Sequence, residues 1–96
     1  MTAEKATVTL SNGEEITFGP LNCWDSMLVE KELGDPPYSV QSMSLAYAWR
    51  SHVTANPETT GGLSFKKFCL LIPRTDQDKV LIAVAPFIRA ASTGKE

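Results

Sequence analysis

The stretch Thr7-Val8-Thr9-Leu10-Ser11-Asn12-Gly13-Glu14-Glu15-Ile16-Thr17-Phe18-Gly19-Pro20-Leu21-Asn22 decides the fold. Polar and apolar residues alternate over Thr7–Leu10 and again over Glu15–Phe18. A period of two marks a half-buried strand. Between the two runs, Asn12-Gly13 tolerates left-handed backbone and signals a tight turn. A two-residue loop at Asn12-Gly13 would oppose Leu10 to Glu15 and put the apolar residues on opposite faces. A three-residue loop, Ser11-Asn12-Gly13, opposes Val8 to Ile16 instead. It gathers Val8, Leu10, Ile16 and Phe18 on one face, with Gly13 as the bulge residue. The second register is preferred because it makes a core face.

Downstream, the hairpin hands over to helices. Asn22 is a good N-cap, and Asp25 in the first turn suits the helix dipole. A helix over 23–33 follows, with Trp24, Met27, Leu28 and Lys31 as an amphipathic pattern and Gly34 as its stop. Asp35-Pro36-Pro37 forces an extended break. Ser39 caps a second helix running to about residue 55, with Val40, Met43, Leu45, Ala46, Tyr47, Ala48, Trp49 and Val53 nearly all round it. Such a helix needs neighbours on several sides, in the monomer or in an oligomer. Asn56-Pro57 ends it, and residues 58–62 form a turn-rich loop. Ser64 caps a third helix, 65–72, with Phe65, Phe68, Cys69 and Ile72 on one stripe and Pro73 as its stop. A fourth helix is expected over 76–91, kinked or split at Pro86. The competing reading makes 80–85 a strand, because that run is short and β-branched. Residues 92–96 are expected to fray.

The fold class is therefore α+β, an N-terminal β-hairpin packed on a small bundle of three to four helices. At 96 residues the chain is one domain (1–96), with a hairpin over 6–19, a helical part over 22–91 and a tail over 92–96. One small hairpin covers little helical surface. The chain thus reads as built to present helix faces to other chains, or to copies of itself.

Composition narrows the function classes. Apolar residues make up 43% and charged residues 21%, ordinary for a soluble globular protein. The net charge is −2, and the longest basic cluster is Lys66-Lys67. Phosphate-backbone binding needs a concentrated basic face, so nucleic acid is not an expected partner. No apolar run reaches the length of a membrane span, and the start Met1-Thr2-Ala3-Glu4-Lys5 is too polar for a signal peptide. The expected location is the cytoplasm.

Candidate chemistry is thin. Cys23 and Cys69 read as two small buried thiols; with a single histidine they complete neither a zinc quartet nor a recognised spacing. His52, alone near a helix end, has no visible nucleophile or ligand set and reads as structural. Glu14, Glu15, Glu30 and Glu32 read as solvated rather than as paired catalytic carboxylates. Gly61-Gly62 before Lys66-Lys67 lacks the framework of a phosphate loop. No catalytic, metal or cofactor site is expected. The large anchors are mainly core, but Trp24, Met27, Tyr47, Trp49, Phe65 and Phe68 are the candidates for partner binding, since Trp and Tyr are favoured at interfaces and Met is adaptable.

The order of elements carries a resemblance. The run Val8-x-Leu10-x-Asn12-Gly13-x-x-Ile16-x-Phe18-x-Pro20-Leu21 leads to a short helix ending Glu30-Lys31-Glu32-Leu33-Gly34. An Ala/Leu/Trp-rich helix follows over 42–52, then Asn56-Pro57-Glu58-Thr59-Thr60. This resembles the tail assembly chaperones of long-tailed bacteriophages and prophages over residues 7–60, a little over half the chain. Gly61-Gly62 departs from the family pattern, where an acidic third helix is common, as does the strongly apolar segment around Pro86. The resemblance implies a non-enzymatic protein in the host bacterial cytoplasm. It would bind the tape measure protein, keep it soluble, recruit tail tube protein, and leave as the tube polymerises, with homo-oligomers possible. Other classes stay open: a permanent virion component such as a head–tail connector, or a small inhibitor of a host protein.

Overall fold

The computed structural model describes residues 5–34 and 37–93. The hairpin comes first, as β1 (Ala6–Thr9) and β2 (Glu15–Phe18), antiparallel with Val8 opposite Ile16. The turn closes by Gly13 N–H to Leu10 C=O (2.9 Å) and Leu10 N–H to Glu14 C=O (2.7 Å), a three-residue loop over Ser11-Asn12-Gly13. Gly13 sits at φ +92°, which L side chains rarely adopt. The expected register is the observed one. Leu10, Ile16 and Phe18 are buried on a single face, with Val8 packed against them.

Four helices follow: α1 (Cys23–Leu33), α2 (Val40–Ala55), α3 (Phe65–Leu71) and α4 (Gln77–Thr93), the last preceded by a 3₁₀ turn over Arg74–Asp76. The expected caps are in place. Asn22, Ser39 and Ser64 each accept from a backbone N–H in the first turn of the helix they open, and Gly34 N–H bonds Glu30 C=O at the end of α1. Residues 35–36 of the Asp35-Pro36-Pro37 break, and residues 94–96 of the tail, lie outside the described residues.

The helix over 80–85 settles the strand alternative against it, and α4 is not split at Pro86. Proline there leaves the Ile82 carbonyl without its N–H partner four residues on. Both residues are exposed, so water can take that carbonyl's bond.

Helix α2 is central. It packs against α1, α3, α4 and β2, as its all-round apolar pattern requires. One cluster joins Leu10, Ile16 and Phe18 of the hairpin to Ala48 and Trp49 of α2, Phe68 of α3, and Val80 and Val84 of α4. The hairpin lies across this layer with β2 against α2 and β1 against α4.

Polar side chains of α2 fasten β2. Buried Ser51 accepts from Gly19 N–H (2.9 Å) and donates to Gly19 C=O (2.5 Å). Asn56 Nδ2 donates to Thr17 C=O (3.0 Å), and His52 Nδ1 lies 3.0 Å from the same oxygen. The backbones approach so closely that a Cβ on Gly19 would stand 3.1 Å from Ala55 Cβ. Removing the Ser51 hydroxyl leaves the buried Gly19 carbonyl without its donor, while Gly19 N–H keeps the Ser51 backbone carbonyl at 3.3 Å. Ser51→Ala should therefore cost about 1–3 kcal/mol in urea unfolding, and a wild-type midpoint would contradict this role.

At the other end of the hairpin, buried Asp76 receives both Ser11 N–H and Ser11 Oγ–H on Oδ2 (2.9 Å each), with Lys79 Nζ 3.8 Å from Oδ1. The Ser11 backbone N–H, foremost, holds this carboxyl below the ordinary aspartate value; burial opposes it, and the Ser11 hydroxyl and Lys79 add to the lowering. A carboxylate with a folded pKa below its unfolded one stabilises the fold at neutral pH. That contribution fades as pH falls from about 4 through the folded value. Asp76→Asn should flatten the decline of stability below about pH 4 while leaving its shape above pH 6 unchanged. Denaturation at stepped pH checks this.

Candidate interaction surface

Helix α1 is oriented by a carboxylate. Asn22 and Asp25 form a reciprocal capping box, with Asp25 N–H to Asn22 Oδ1 and Asn22 N–H to Asp25 Oδ2, both 3.0 Å. The same Asp25 is 1% exposed and faces α2, where Arg50 Nε donates to Oδ1 (3.0 Å) and Thr54 Oγ1 donates to the carboxylate (3.0 Å to Oδ1). Arg50 in turn lays its guanidinium 4.9 Å from the centre of the Trp49 ring, and Trp49 Nε1–H donates to Leu63 C=O (2.8 Å). A polar chain thus runs from α1 through α2 to the loop before α3.

This turns the expected amphipathic pattern outward. The buried positions of α1 are Asp25 and Val29. Trp24 is 61% exposed and Met27 57% exposed, three residues apart on the outer face, with Lys31 on the same stripe. Cys23 is exposed rather than buried, because it opens the helix beside Trp24 on the solvent side. Cys69 is free and half-buried, its thiol pushed up by burial and then by the charge of Glu32.

The six candidate partner residues separate into three groups. Trp24 and Met27 are open to solvent. Tyr47 and Phe65 are half-buried, Phe65 stacking at a tilt 5.8 Å from Trp49. Trp49 and Phe68 belong to the core, with Phe68 wholly enclosed. As the chain is folded here, these two offer no docking face. Among the described residues, the exposed large hydrophobic side chains outside the six candidates are Tyr38, Val40, Leu70, Leu71 and Ile82. Helical position marks Ile82 as outward, since it lies two residues from both Val80 and Val84.

A groove of about 250 Å³ runs between the hairpin and the 56–63 loop, with Glu14, Glu15, His52 and Thr59 among its lining and Leu10, Ile16 and Leu63 on its apolar side. His52 is anchored here as a structural side chain. Its Nδ1 meets Thr17 C=O and the Asn56 amide, and its ring packs near Phe18 and Phe68. Glu14 and Glu15 are exposed and form no bond with it. Among the described residues, no group of three or more His, Cys, Asp or Glu side chains could hold a metal ion. No described helix is long and apolar enough to cross a membrane.

No protein-family model matches the chain, nor does any curated protein or solved structure.

Asp25 is the member of this arrangement whose loss is felt in two places, the cap and the α1–α2 contact. Asp25→Ala should cost about 2–4 kcal/mol in chemical denaturation. Arg50 keeps some water contact, which favours the lower end. A loss below about 0.5 kcal/mol, the size of an exposed ion pair, would refute the assignment.

Proposed function

We propose that this protein is a non-catalytic binding module of phage tail assembly, a chaperone for the tape measure protein that also engages tail tube protein in the host cytoplasm. The observation that carries this reading is the outward Trp24–Met27 pair. A buried carboxylate holds α1 in the orientation that keeps a tryptophan and a methionine in water. Large apolar groups on a rigid helix face can grip an apolar helical partner at little entropic cost. Met27 adapts to irregular partner surfaces. Two side chains make a small contact of modest affinity, which suits a factor that must let go. Repeated along a long partner, such contacts gain avidity of about 100-fold or more without tightening any one of them. The resemblance of the hairpin-to-helix order to that of the tail assembly chaperones is what suggests this particular partner.

Co-expression with the tape measure protein encoded nearby tests it. The partner should stay soluble with the wild-type chain. Trp24→Ala should weaken the pairing by about 2 kcal/mol, roughly 30-fold, without lowering the melting temperature. Equal precipitation with and without this chain would remove the chaperone reading, as would its stoichiometric presence in finished particles.

A further inference from the structure

Asn12-Gly13 makes the hairpin turn, and the same pair is chemically reactive. A backbone nitrogen one residue after an asparagine can attack its carboxamide carbon, and glycine leaves that approach free of a side chain. Of the three asparagines in the chain, Asn12 alone precedes a glycine. Asn56 precedes Pro57, which has no N–H to give up. Asn22 precedes Cys23, which carries a Cβ, and its Oδ1 is turned into the α1 cap toward Asp25 N–H. Asn12 is exposed, and among the described residues nothing lies within 4 Å of where a Cβ on Gly13 would stand.

The Asn12 carboxamide is folded back over the backbone that follows it, because its Oδ1 accepts from Glu14 N–H (3.0 Å). That N–H also favours the charge that builds on Oδ1 when its carbon is attacked. One bond opposes the attack: Gly13 N–H donates to Leu10 C=O (2.9 Å). The nitrogen is free only when the turn opens there. Opening the turn displaces Ser11, and Ser11 is pinned through its N–H and its hydroxyl to the buried Asp76 carboxylate, 2.9 Å each.

We propose that Asn12 is a site of spontaneous covalent modification, converted through a cyclic succinimide to aspartate and isoaspartate, with Asp76 as the latch that sets its rate. Gly13 N–H gives its proton to hydroxide, and the nitrogen bonds to Asn12 Cγ. The Cγ–Nδ2 bond breaks, and the amide nitrogen takes a proton from water and leaves as ammonia. Water then opens the ring. Cleavage at Cγ gives aspartate; cleavage at the backbone carbonyl gives isoaspartate, with one more carbon in the main chain. Nothing is oxidised or reduced. Both products place a new negative charge beside Glu14 and Glu15, which repel it. Isoaspartate also lengthens the loop that sets Val8 opposite Ile16. The chemistry uses nothing of the α1 face, so it stands apart from the chaperone reading.

Peptide mapping by mass spectrometry tests this on the native chain aged in warm, mildly alkaline buffer, with the urea-unfolded chain setting the length of the run. Aspartate and isoaspartate should both build up at Asn12, more slowly than in urea, while Asn22 and Asn56 stay intact. Asp76→Ala should speed the conversion about tenfold or more, the factor that losing charged hydrogen bonds puts on a local opening. Ser11→Ala keeps the backbone bond to Asp76 and should speed it less. Should Asp76→Ala melt the whole fold, Ser11→Ala decides alone. A native chain whose Asn12 stays intact throughout overturns the site. A conversion rate that the folded variants leave at the wild-type value overturns the latch.

Discussion

A carboxylate taken out of water needs partners, and that requirement at Asp25 governs how α1 sits on the molecule. Its partners come from two directions, the Asn22 backbone within the cap and Arg50 with Thr54 on α2. Only one rotation of α1 about its axis meets all of them. That rotation buries Val29 and leaves Trp24 and Met27 outside. An apolar choice at position 25 would remove the reason for that rotation, and burying Trp24 would then be the better use of the helix. The surface on which the functional proposal stands is thus a consequence of a polar contact, with the apolar residues following it.

The same logic holds the hairpin. Two short strands are marginal by themselves, and this pair persists because Ser51 of α2 and its C-cap Asn56 offer side chains to the backbone at Gly19 and Thr17, two residues apart at the end of β2. Asp76 secures the opposite end at Ser11. Apolar burial through Phe18, Phe68, Val80 and Val84 supplies the drive, and these polar contacts choose the seat. α2 therefore has two jobs, one face for the core and one end for backbone groups that would otherwise be stranded.

Much of this was legible in the residues. Period two and Asn12-Gly13 specify the hairpin and its register, because a slip of one would turn Ile16 and Phe18 to solvent. Asn22, Ser39 and Ser64 mark the helix starts, since a side-chain acceptor there has a clear local use. What periodicity could not show was which side of α1 faces inward. Trp24, Met27 and Leu28 look like an inner stripe, and Asp25 looks like a dipole partner. The fact that decides between them, Arg50 and Thr54 waiting on α2, is 25 or more residues away. The Asn22-Asp25 spacing was the available signal, for a capping box fixes a carboxylate's place without saying what else it meets. The β-branched run over 80–85 was ambiguous for the same reason, and its helical state is set by where Val80 and Val84 pack. Trp49 and Phe68 were candidates by residue type alone, and the core claimed both.

The orientation of α1 can be read directly by hydroxyl-radical footprinting of the native chain, with mass spectrometry at Trp24, Met27, Trp49 and Phe68. The account predicts rapid oxidation of Trp24 and Met27, close to the rate in the denatured chain, with Trp49 and Phe68 protected. Trp24 and Met27 protected as strongly as Trp49 at high dilution would contradict it.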